Sequence, residues 1–367
     1  MPDTEVWLLI RAGSESAMAG RLGELRRFWG WEDDINKVKR IRGLVGDAAL
    51  PCFGLEKSQY AELAEQCTHI IHCAGTVRMN LTIGDARRSA VGSAEQILCL
   101  ARSVAHTGRL AKVDIVSTVG VAGKRNGTLP EVWLDQMPAF HNTYEQAKAE
   151  AEDVVRLAVE NEKLPITVHR PSMVIGDSRD GRVIHFQIFY FLCEFLSGLK
   201  TKGLYPNFSK VQLDIIPSDT VAAAIVAASR DSATAGRIFH LCSGPDLAPL
   251  LEDVKASVRQ SFAGHGISVP AAINLPMRWY SALARMASHF APTSQRKALA
   301  TLPIYLDYLA DRQSFANSSF AAWSAAKGQR LPRWQDYLPK VLDHYLDQRY
   351  ASSPTGSGRT KPPPSEP

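Results

Sequence analysis

A tyrosine and a lysine near the middle of the chain have the spacing of a proton-donating pair. The stretch NTYEQAKAE, residues 142–150, places Tyr144 four residues before Lys148 in a segment of helical character. Both side chains then lie on one helix face, one turn apart. A phenol, with a pKa of about 10, can donate a proton, and a neighbouring ammonium group favours this near neutral pH. The alternative is an exposed helix with a polar face, so the surrounding elements must decide.

Strand-like and helical segments alternate around this pair. Apolar, β-prone runs lie at 5–12, 41–47, 68–75, 112–123, 165–176, 213–217 and 237–244. Helical periodicity occurs between them, as at 13–29 and 91–106, and the chain becomes mainly helical after residue 245. Strands that alternate with amphipathic helices predict an α/β fold with a doubly wound parallel sheet, covered by helices on both faces.

Ligands of such a sheet bind beyond the carboxyl ends of its strands, where the strand order reverses. Several candidate residues close a predicted strand or lie in the strand that follows the Tyr144 helix. They are Asp47, Ala74, Gly75, Thr118, Pro171 and Ser172. Because the carboxyl ends of parallel strands meet at one edge of the sheet, this arrangement favours an active site over a merely polar helix face.

A set of motifs makes the chain similar to a known family. They are LLIRAGSESAMAGRL, GLVGDAALPCFGL, HIIHCAGTV, VSTVGVAG, YEQAK, HRPSMVIGDSRDG, IIPSDTVAAAIV and HLCSG, spread over residues 5–245. The chain resembles an extended short-chain dehydrogenase/reductase, and more narrowly the thioester-reductase and fatty acyl-CoA reductase (male-sterility-like) branch. RPSMVIGDSRDG and VSTVGV are fairly specific to that branch, whereas the Tyr-x-x-x-Lys spacing is shared by the whole superfamily.

The resemblance implies a division of the chain. A Rossmann-like NAD(P)-binding domain is expected at 1–181 and 213–244, and a mostly helical substrate-binding subdomain at 182–212 and 245–350. Residues 351–367, rich in Ser, Pro and Gly, are predicted to form a disordered tail. The apolar segments 183–199 and 273–291 could line a groove for an acyl chain or could simply form core.

The resemblance also implies roles for three residues. Tyr144 would protonate the carbonyl oxygen that gains charge as hydride reaches its carbon, Lys148 would supply the neighbouring charge and hold the nicotinamide ribose, and Thr118 would hydrogen-bond the same oxygen. The expected activity is the NADPH-dependent reduction of an acyl thioester, bound to CoA or a carrier protein, to an aldehyde or alcohol. The alternatives are an extended-family dehydrogenase or epimerase acting on a sterol, sugar nucleotide or other alcohol, and a non-catalytic protein of the same fold.

The expected cofactor is NADPH rather than NADH. An arginine at the end of the second strand accommodates the 2′-phosphate of NADP, where NAD-specific sheets have an acidic residue. Arg11 ends the first apolar run of this chain, which matches the second strand of the family's sheet, and Arg21 follows on the next helix. A planar guanidinium group suits phosphate. Asp47 would approach the adenine edge. The resemblance places further cofactor contacts at Ala74, Gly75, Ser117, Lys148, Pro171, Ser172 and Val174.

Two departures from the family pattern stand out. The first strand and its glycine-rich GxxGxxG turn, whose amides hold the pyrophosphate, have no counterpart, because the segment EVWLLIRAG matches the second strand. We therefore expect weak or no dinucleotide binding and an unpaired strand edge in the centre of the sheet. The reading frame would then have been given a start codon that is too late, or the chain would be a degenerate relative of the family. The second is Ser89, which stands where the family has an asparagine that supports a proton relay through water.

Composition narrows the remaining possibilities. An apolar share of 45% and a charged share of 22% are those of a globular protein, and a net charge of +5 is too small for a nucleic-acid binder. Without a secretory signal or a span for a bilayer, a cytoplasmic protein with reduced thiols is expected, with Cys99 packed in the core. Neighbouring His and Cys residues in CTHIIHC point to opposite faces of a strand, so no metal site is expected. The oligomeric state stays open.

Overall fold

The computed structural model describes residues 4–208, 211–276, 278–280, 282 and 312–350. The predicted tail, 351–367, and most of the apolar segment 273–291 lie outside the described residues. The strands are β1 (Val6–Ile10), β2 (Ile41–Val45), β3 (His69–His72), β4 (Lys112–Val116), β5 (Gly127–Leu129), β6 (Ile166–Pro171), β7 (Met173–Ile175), β8 (Leu204–Pro206), β9 (Ile215–Pro217), β10 (Ile238–Leu241), β11 (Ile273–Leu275) and β12 (Gln313–Phe315). The helices are α1 (Glu15–Trp29), α2 (Ile35–Val38), α3 (Lys57–Gln66), α4 (Ile83–Arg87), α5 (Ser93–His106), α6 (Thr143–Glu162), α7 (Ile188–Leu196), α8 (Ser218–Ser229), α9 (Leu251–Gly264), α10 (Ser318–Ala326) and α11 (Trp334–Tyr350).

A four-stranded parallel sheet forms the centre of the fold. Its strand order is β10-β6-β4-β3, and β4 pairs with β6 so that Val116 lies opposite His169. Helices connect these strands, as parallel pairing requires. The sheet confirms the predicted α/β, Rossmann-like fold.

The strands β1 and β2 form a separate parallel pair, in which Ile10 lies opposite Val45. Among the described strands, none pairs with both β1 and β3. In the 3-2-1-4-5-6 order of the dinucleotide-binding sheet, β2 and β1 take the places of strands 3 and 2, and β3, β4 and β6 those of strands 4, 5 and 6. The break between the two sheets therefore falls at the place of strand 1.

Helices cover both faces of the central sheet. On one face, α5 and α6 bury small and aliphatic side chains, such as Ala101, Val104 and Val155, in a cluster that also includes Leu44 of β2. On the other face, α8 and α10 pack around Phe239 of β10. Small residues allow the helices to approach the strands closely, so the sheet is buried as an all-parallel sheet must be.

A third hydrophobic cluster lies in the expected helical subdomain. It joins α7, α9 and α11 around large buried side chains, including Phe189, Tyr205 and Phe262. The carboxylate of Glu194 on α7 accepts hydrogen bonds from the side chains of α11, with the Tyr345 hydroxyl at 2.6 Å. Most apolar side chains of α7 are buried here, which favours core over an acyl groove for this segment.

Local chain geometry differs from the sequence pattern at several places. The strand expected at 112–123 ends at Val116, and a 3₁₀ turn follows at Val119–Ala122. The strand expected at 165–176 is interrupted at Ser172, between β6 and β7. The expectation that Cys99 is a core residue is wrong: its side chain is exposed, because it lies on the outer face of α5. In the described part of the chain, no helix has both the length and the apolar character needed to cross a bilayer.

Candidate active site

The helix α6 positions Tyr144 and Lys148. It begins after Asn142, whose side chain accepts a hydrogen bond from the backbone amide of Glu145, as expected of an N-cap residue. The Glu145 carboxylate in turn accepts from the amide of His141 at 2.9 Å, which fixes the first turn. Tyr144 therefore lies in the first turn, and Lys148 follows one turn later. Both side chains are half-buried and line the same cleft.

The end of β4 supplies Thr118. Its hydroxyl oxygen accepts a hydrogen bond of 3.1 Å from the amide of Gly120 and caps the 3₁₀ turn, so the strand ends here. The same hydroxyl lies near enough to the Tyr144 side chain to lower the pKa of its phenol. With its oxygen already accepting from Gly120, the Thr118 hydroxyl has its own hydrogen left to donate. The structure thus brings two of the predicted catalytic residues close together.

The phenol of Tyr144 is held in its neutral form. Burial raises the pKa of Tyr144 to about 12, while the neighbouring Thr118 hydroxyl lowers it and the Glu145 charge raises it. The lowering by Lys148 that the sequence led us to expect is not among these effects. A neutral phenol is the form that can donate a proton, so this environment suits a general acid.

The ammonium group of Lys148 lies at the carboxyl end of the central sheet. Lys148 Nζ donates a hydrogen bond of 3.0 Å to the carbonyl oxygen of Val116, the last residue of β4. Burial lowers the pKa of Lys148, against the opposing effects of Glu152 and Cys73. Glu152, one turn further along α6, is itself paired with Arg170 of β6 at 2.6 Å. The end of the central sheet therefore holds the Lys148 side chain in place.

A cleft that is open to solvent lies in front of these residues. Its wall is made by the loop after β3, by the start of α6, and by the turn between α4 and α5. The residues that line it are Gly75, Thr76, Arg78, Ala86, Ser89, Ala90, Tyr144, Ala147 and Lys148. Sequence reasoning missed Thr76 and Arg78, although both lie within three residues of the predicted strand end at Gly75.

Gly75 leaves room for a cofactor beside Lys148. A Cβ atom at this position would lie 3.7 Å from Lys148 Nζ, so a larger side chain would fill the space in front of the ammonium group. This open approach fits the predicted passage of a nicotinamide cofactor close to the backbone. Ala74 precedes Gly75 and is likewise exposed.

The residues predicted to bind the adenosine end of the cofactor lie on the two-stranded sheet. Arg11 follows β1 directly, and the Arg21 guanidinium of α1 donates a hydrogen bond to the Arg11 carbonyl oxygen. Asp47 follows β2, and its carboxylate accepts from the amide of Ala49 at 2.9 Å. Arg11 and Asp47 lie at the same edge of the two-stranded sheet, just after the ends of its strands. Arg11, Arg21 and Asp47 are not among the described residues that line the cleft.

Four further predicted contacts lie at the ends of β4, β6 and β7. Ser117 is buried, and its hydroxyl has no hydrogen-bond partner among the described residues. Pro171 ends β6, and Ser172 donates to the carboxylate of Asp214 at 2.7 Å. Burial raises the pKa of Asp214 to about 6, although hydrogen bonds from Ser172 and from two backbone amides lower it. Val174 pairs with β9, and none of these four lines the described cleft.

The parallel sheet with helices on both faces gives the chain a Rossmann-like α/β fold. A family model described as "Male sterility protein" matches residues 1–225. The chain belongs to this family. The match covers more than half of the chain and includes Thr118, Tyr144 and Lys148.

Relatives and solved structures agree with this assignment. The "Non-canonical nonribosomal peptide synthetase FrzA" of Cladobotryum sp. is 25% identical over 324 residues, which are 85% of this chain and 29% of that protein. The "L-2-aminoadipate reductase" of Schizosaccharomyces pombe is 27% identical over 256 residues, 66% of this chain and 18% of that protein. The chain thus spans less than a third of the length of either relative. The crystal structure of the terminal R domain from the myxalamid PKS-NRPS pathway superposes with a TM-score of 0.79 at 22% identity, covering 96% of this chain and 86% of that one, which shows a shared fold.

Proposed function

We propose that this chain is an NADPH-dependent reductase of an acyl thioester, carried by CoA or a carrier protein, and that its product is an aldehyde or alcohol. The observation that carries the proposal is the cleft that Tyr144 and Lys148 line together, with Thr118 near enough to lower the pKa of the Tyr144 phenol. The similar proteins support the substrate class, because they are named as a nonribosomal peptide synthetase, an aminoadipate reductase and the terminal R domain of a PKS-NRPS pathway. A cytoplasmic location stays a prediction.

The side chains of the cleft can perform the proton chemistry of this reaction. When bound, NADPH supplies the hydride that reaches the thioester carbonyl carbon. Tyr144 donates its proton to the carbonyl oxygen, and the Thr118 hydroxyl hydrogen-bonds the same oxygen as negative charge develops on it. Collapse of the resulting hemithioacetal breaks the carbon–sulfur bond, so that the carrier leaves as a thiol and an aldehyde remains. Lys148, held by the Val116 carbonyl oxygen, would bind the nicotinamide ribose of the cofactor.

The preference for NADPH rests on the basic end of β1. Arg11 and Arg21 are exposed, and the Arg21 guanidinium donates a hydrogen bond to the backbone carbonyl oxygen of Arg11. Both side chains would then be available to a 2′-phosphate bound at this strand end. Solved relatives of similar fold have been described with NADPH or with NAD, so the choice follows from these side chains. Asp47, at the adjacent strand end, would contact the adenine edge.

The break between the two sheets bears on how tightly the cofactor is held. In this fold the strand at the break is followed by a glycine-rich turn, which binds the pyrophosphate at a helix N-terminus. We therefore expect residues 1–367 to bind a dinucleotide weakly or not at all, and to bind it tightly once a strand–GxxGxxG–helix unit precedes them. Tight binding of NADPH by residues 1–367 would show that our alignment of β1 is wrong.

We also propose that the substrate-binding subdomain is formed by residues 182–212 and 245–350. The separate hydrophobic cluster of α7, α9 and α11 supports this division. The segment with β12 and α10 is a partial exception, because β12 pairs with β5 and α10 packs on β10.

Product analysis tests the function. The protein, with and without the added glycine-rich unit, is incubated with an acyl-CoA and NADPH, and released thiol and oxidised cofactor are measured. One oxidised cofactor per thiol for an aldehyde product, or two per thiol for an alcohol, both lost in Tyr144→Phe, support the thioester reductase. Cofactor turnover on a sterol or sugar nucleotide without thiol release would instead support another extended-family dehydrogenase or epimerase. No turnover in either form would support a non-catalytic protein, the alternative that the break in the sheet favours.

A further inference from the structure

One wall of the cleft is built on a π-helical turn. The helix that runs from α4 to α5 is continuous, but residues Arg88–Gly92 within it have π-helical hydrogen bonding. Such a turn takes in one extra residue and changes the direction of the side chains that follow, so it needs support from outside the helix. Ser89 and Ala90, which line the cleft, both lie in this turn.

The support comes from a buried serine and histidine. The Ser93 hydroxyl, 2% exposed, lies 2.6 Å from the carbonyl oxygen of Ser89 and 3.1 Å from that of Ala90. It also lies 3.2 Å from Nε2 of His72, the last residue of β3. A hydroxyl has a single hydrogen to donate, and carbonyl oxygens only accept. Ser93 therefore donates to the turn and accepts from His72, which must carry its proton on Nε2.

The same turn holds the loop that leaves β3. The Ser89 hydroxyl accepts a hydrogen bond of 3.2 Å from the backbone amide of Thr76. His72 and Thr76 are four residues apart, so the short segment between them is tied to the π-turn at both ends. Gly75, which faces Lys148, lies within that segment.

The histidine stays neutral in this setting. Burial, together with the nearby charge of Lys148, lowers the pKa of His72 to about 4. A neutral imidazole with one N–H group can donate to Ser93 throughout the physiological pH range.

We infer that His72 and Ser93 are positioning residues, which hold the π-turn and the loop after β3 together so that Ser89 and Gly75 keep their places beside Lys148. Neither residue lines the cleft as the structure describes it, and neither touches the reacting atoms. Their effect on turnover rests on the proposed function, whereas their effect on the cleft wall does not. The two can therefore be tested separately.

Amide hydrogen exchange tests the wall directly. In Ser93→Ala, exchange of the Thr76 amide and of the Arg88–Gly92 amides should rise by about threefold to tenfold, the effect of one lost hydrogen bond. Ser229→Ala is the matched control: Ser229 is also buried and donates to a backbone carbonyl of its own helix, at 2.9 Å, but on α8. This variant should leave the same amides unchanged. Unchanged exchange in Ser93→Ala, or an equal rise in Ser229→Ala, overturns the inference.

The role of the histidine is tested by a pair of substitutions. Gln can place a side-chain N–H group near the position of Nε2, whereas Leu cannot, so His72→Gln should keep the protection of the Thr76 amide and His72→Leu should lose it. Equal exchange in the two variants contradicts the assigned hydrogen bond. In an active form, Ser93→Ala and His72→Leu should lower kcat more than they change KM, and His72→Gln should restore it. Absence of turnover both with and without the added glycine-rich unit would refute the proposed function, while the exchange data would still decide the positioning role.

Discussion

Replacement of Tyr144 by Phe separates proton donation from folding. The substitution removes one oxygen and keeps the ring. General acid catalysis contributes about 100-fold to 10,000-fold in rate, which corresponds to about 2.7–5.4 kcal/mol of transition-state stabilisation. The hydroxyl of Thr118 still accepts from Gly120 and loses only its phenolic neighbour. The free energy of unfolding should therefore fall by only about 0.5–1.5 kcal/mol.

The assay compares kcat for thiol release with the urea unfolding curve of the same preparation. Tyr60→Phe is a matched control, because Tyr60 is also half-buried and has a pKa raised by burial and lowered by a neighbouring hydroxyl, that of Ser103, but lies on α3. We expect the control to lose a similar amount of stability and to keep its kcat. A loss of less than about tenfold in kcat for Tyr144→Phe, or an equal loss in Tyr60→Phe, would refute the assignment of Tyr144 as the acid.

Three further changes test the cofactor site and the fold. Arg11→Ala should reduce the preference for NADPH over NADH by about tenfold or more in binding titrations, because a charged partner of the 2′-phosphate is lost. The pKa of His240 is lowered to about 3, mainly by burial. The contribution of the neutral histidine to the free energy of unfolding is thus present above pH 6.5 and lost as the pH falls. The difference in free energy of unfolding between wild type and His240→Gln should therefore shrink on acidification, by up to about 5 kcal/mol. Gly176→Ala should destabilise by about 1–3 kcal/mol in urea, because its Cβ would strike the carbonyl of Gly181, whereas Gly20→Ala, in an open position of α1, should stabilise slightly.

The sequence was sufficient for the features that depend on periodicity. Alternation of apolar runs predicted the parallel sheet, and the four-residue spacing placed Tyr144 and Lys148 on one face of α6. The end of β4 was not predictable in this way, because VSTVGVAG keeps its β-prone composition beyond Val116. The strand stops there since the Thr118 side chain captures the Gly120 amide, a local hydrogen bond that composition does not reveal.

The cleft wall was missed for a related reason. A helical pattern at 91–106 gives the direction of the apolar face but does not reveal the extra residue of the π-turn at Arg88–Gly92. That turn depends on a hydrogen bond from Ser93 to its carbonyls, and hence on His72 from a distant strand. The pKa of Tyr144 was likewise unpredictable, because it is set mainly by burial and only the folded chain shows which groups surround the phenol.

The two sheets divide the work of the proposed enzyme. Thr118 and Lys148 are both fixed at the end of β4, one through the 3₁₀ turn and the other through the Val116 carbonyl, and β4 lies in the middle of the four-stranded sheet. Arg11, in contrast, belongs to the separate pair of strands. If the two sheets are only weakly connected, the adenosine end of the cofactor would be bound less tightly, while the reacting groups would stay in place. The deficit should then appear in the affinity for NADPH, while kcat at saturating cofactor is preserved.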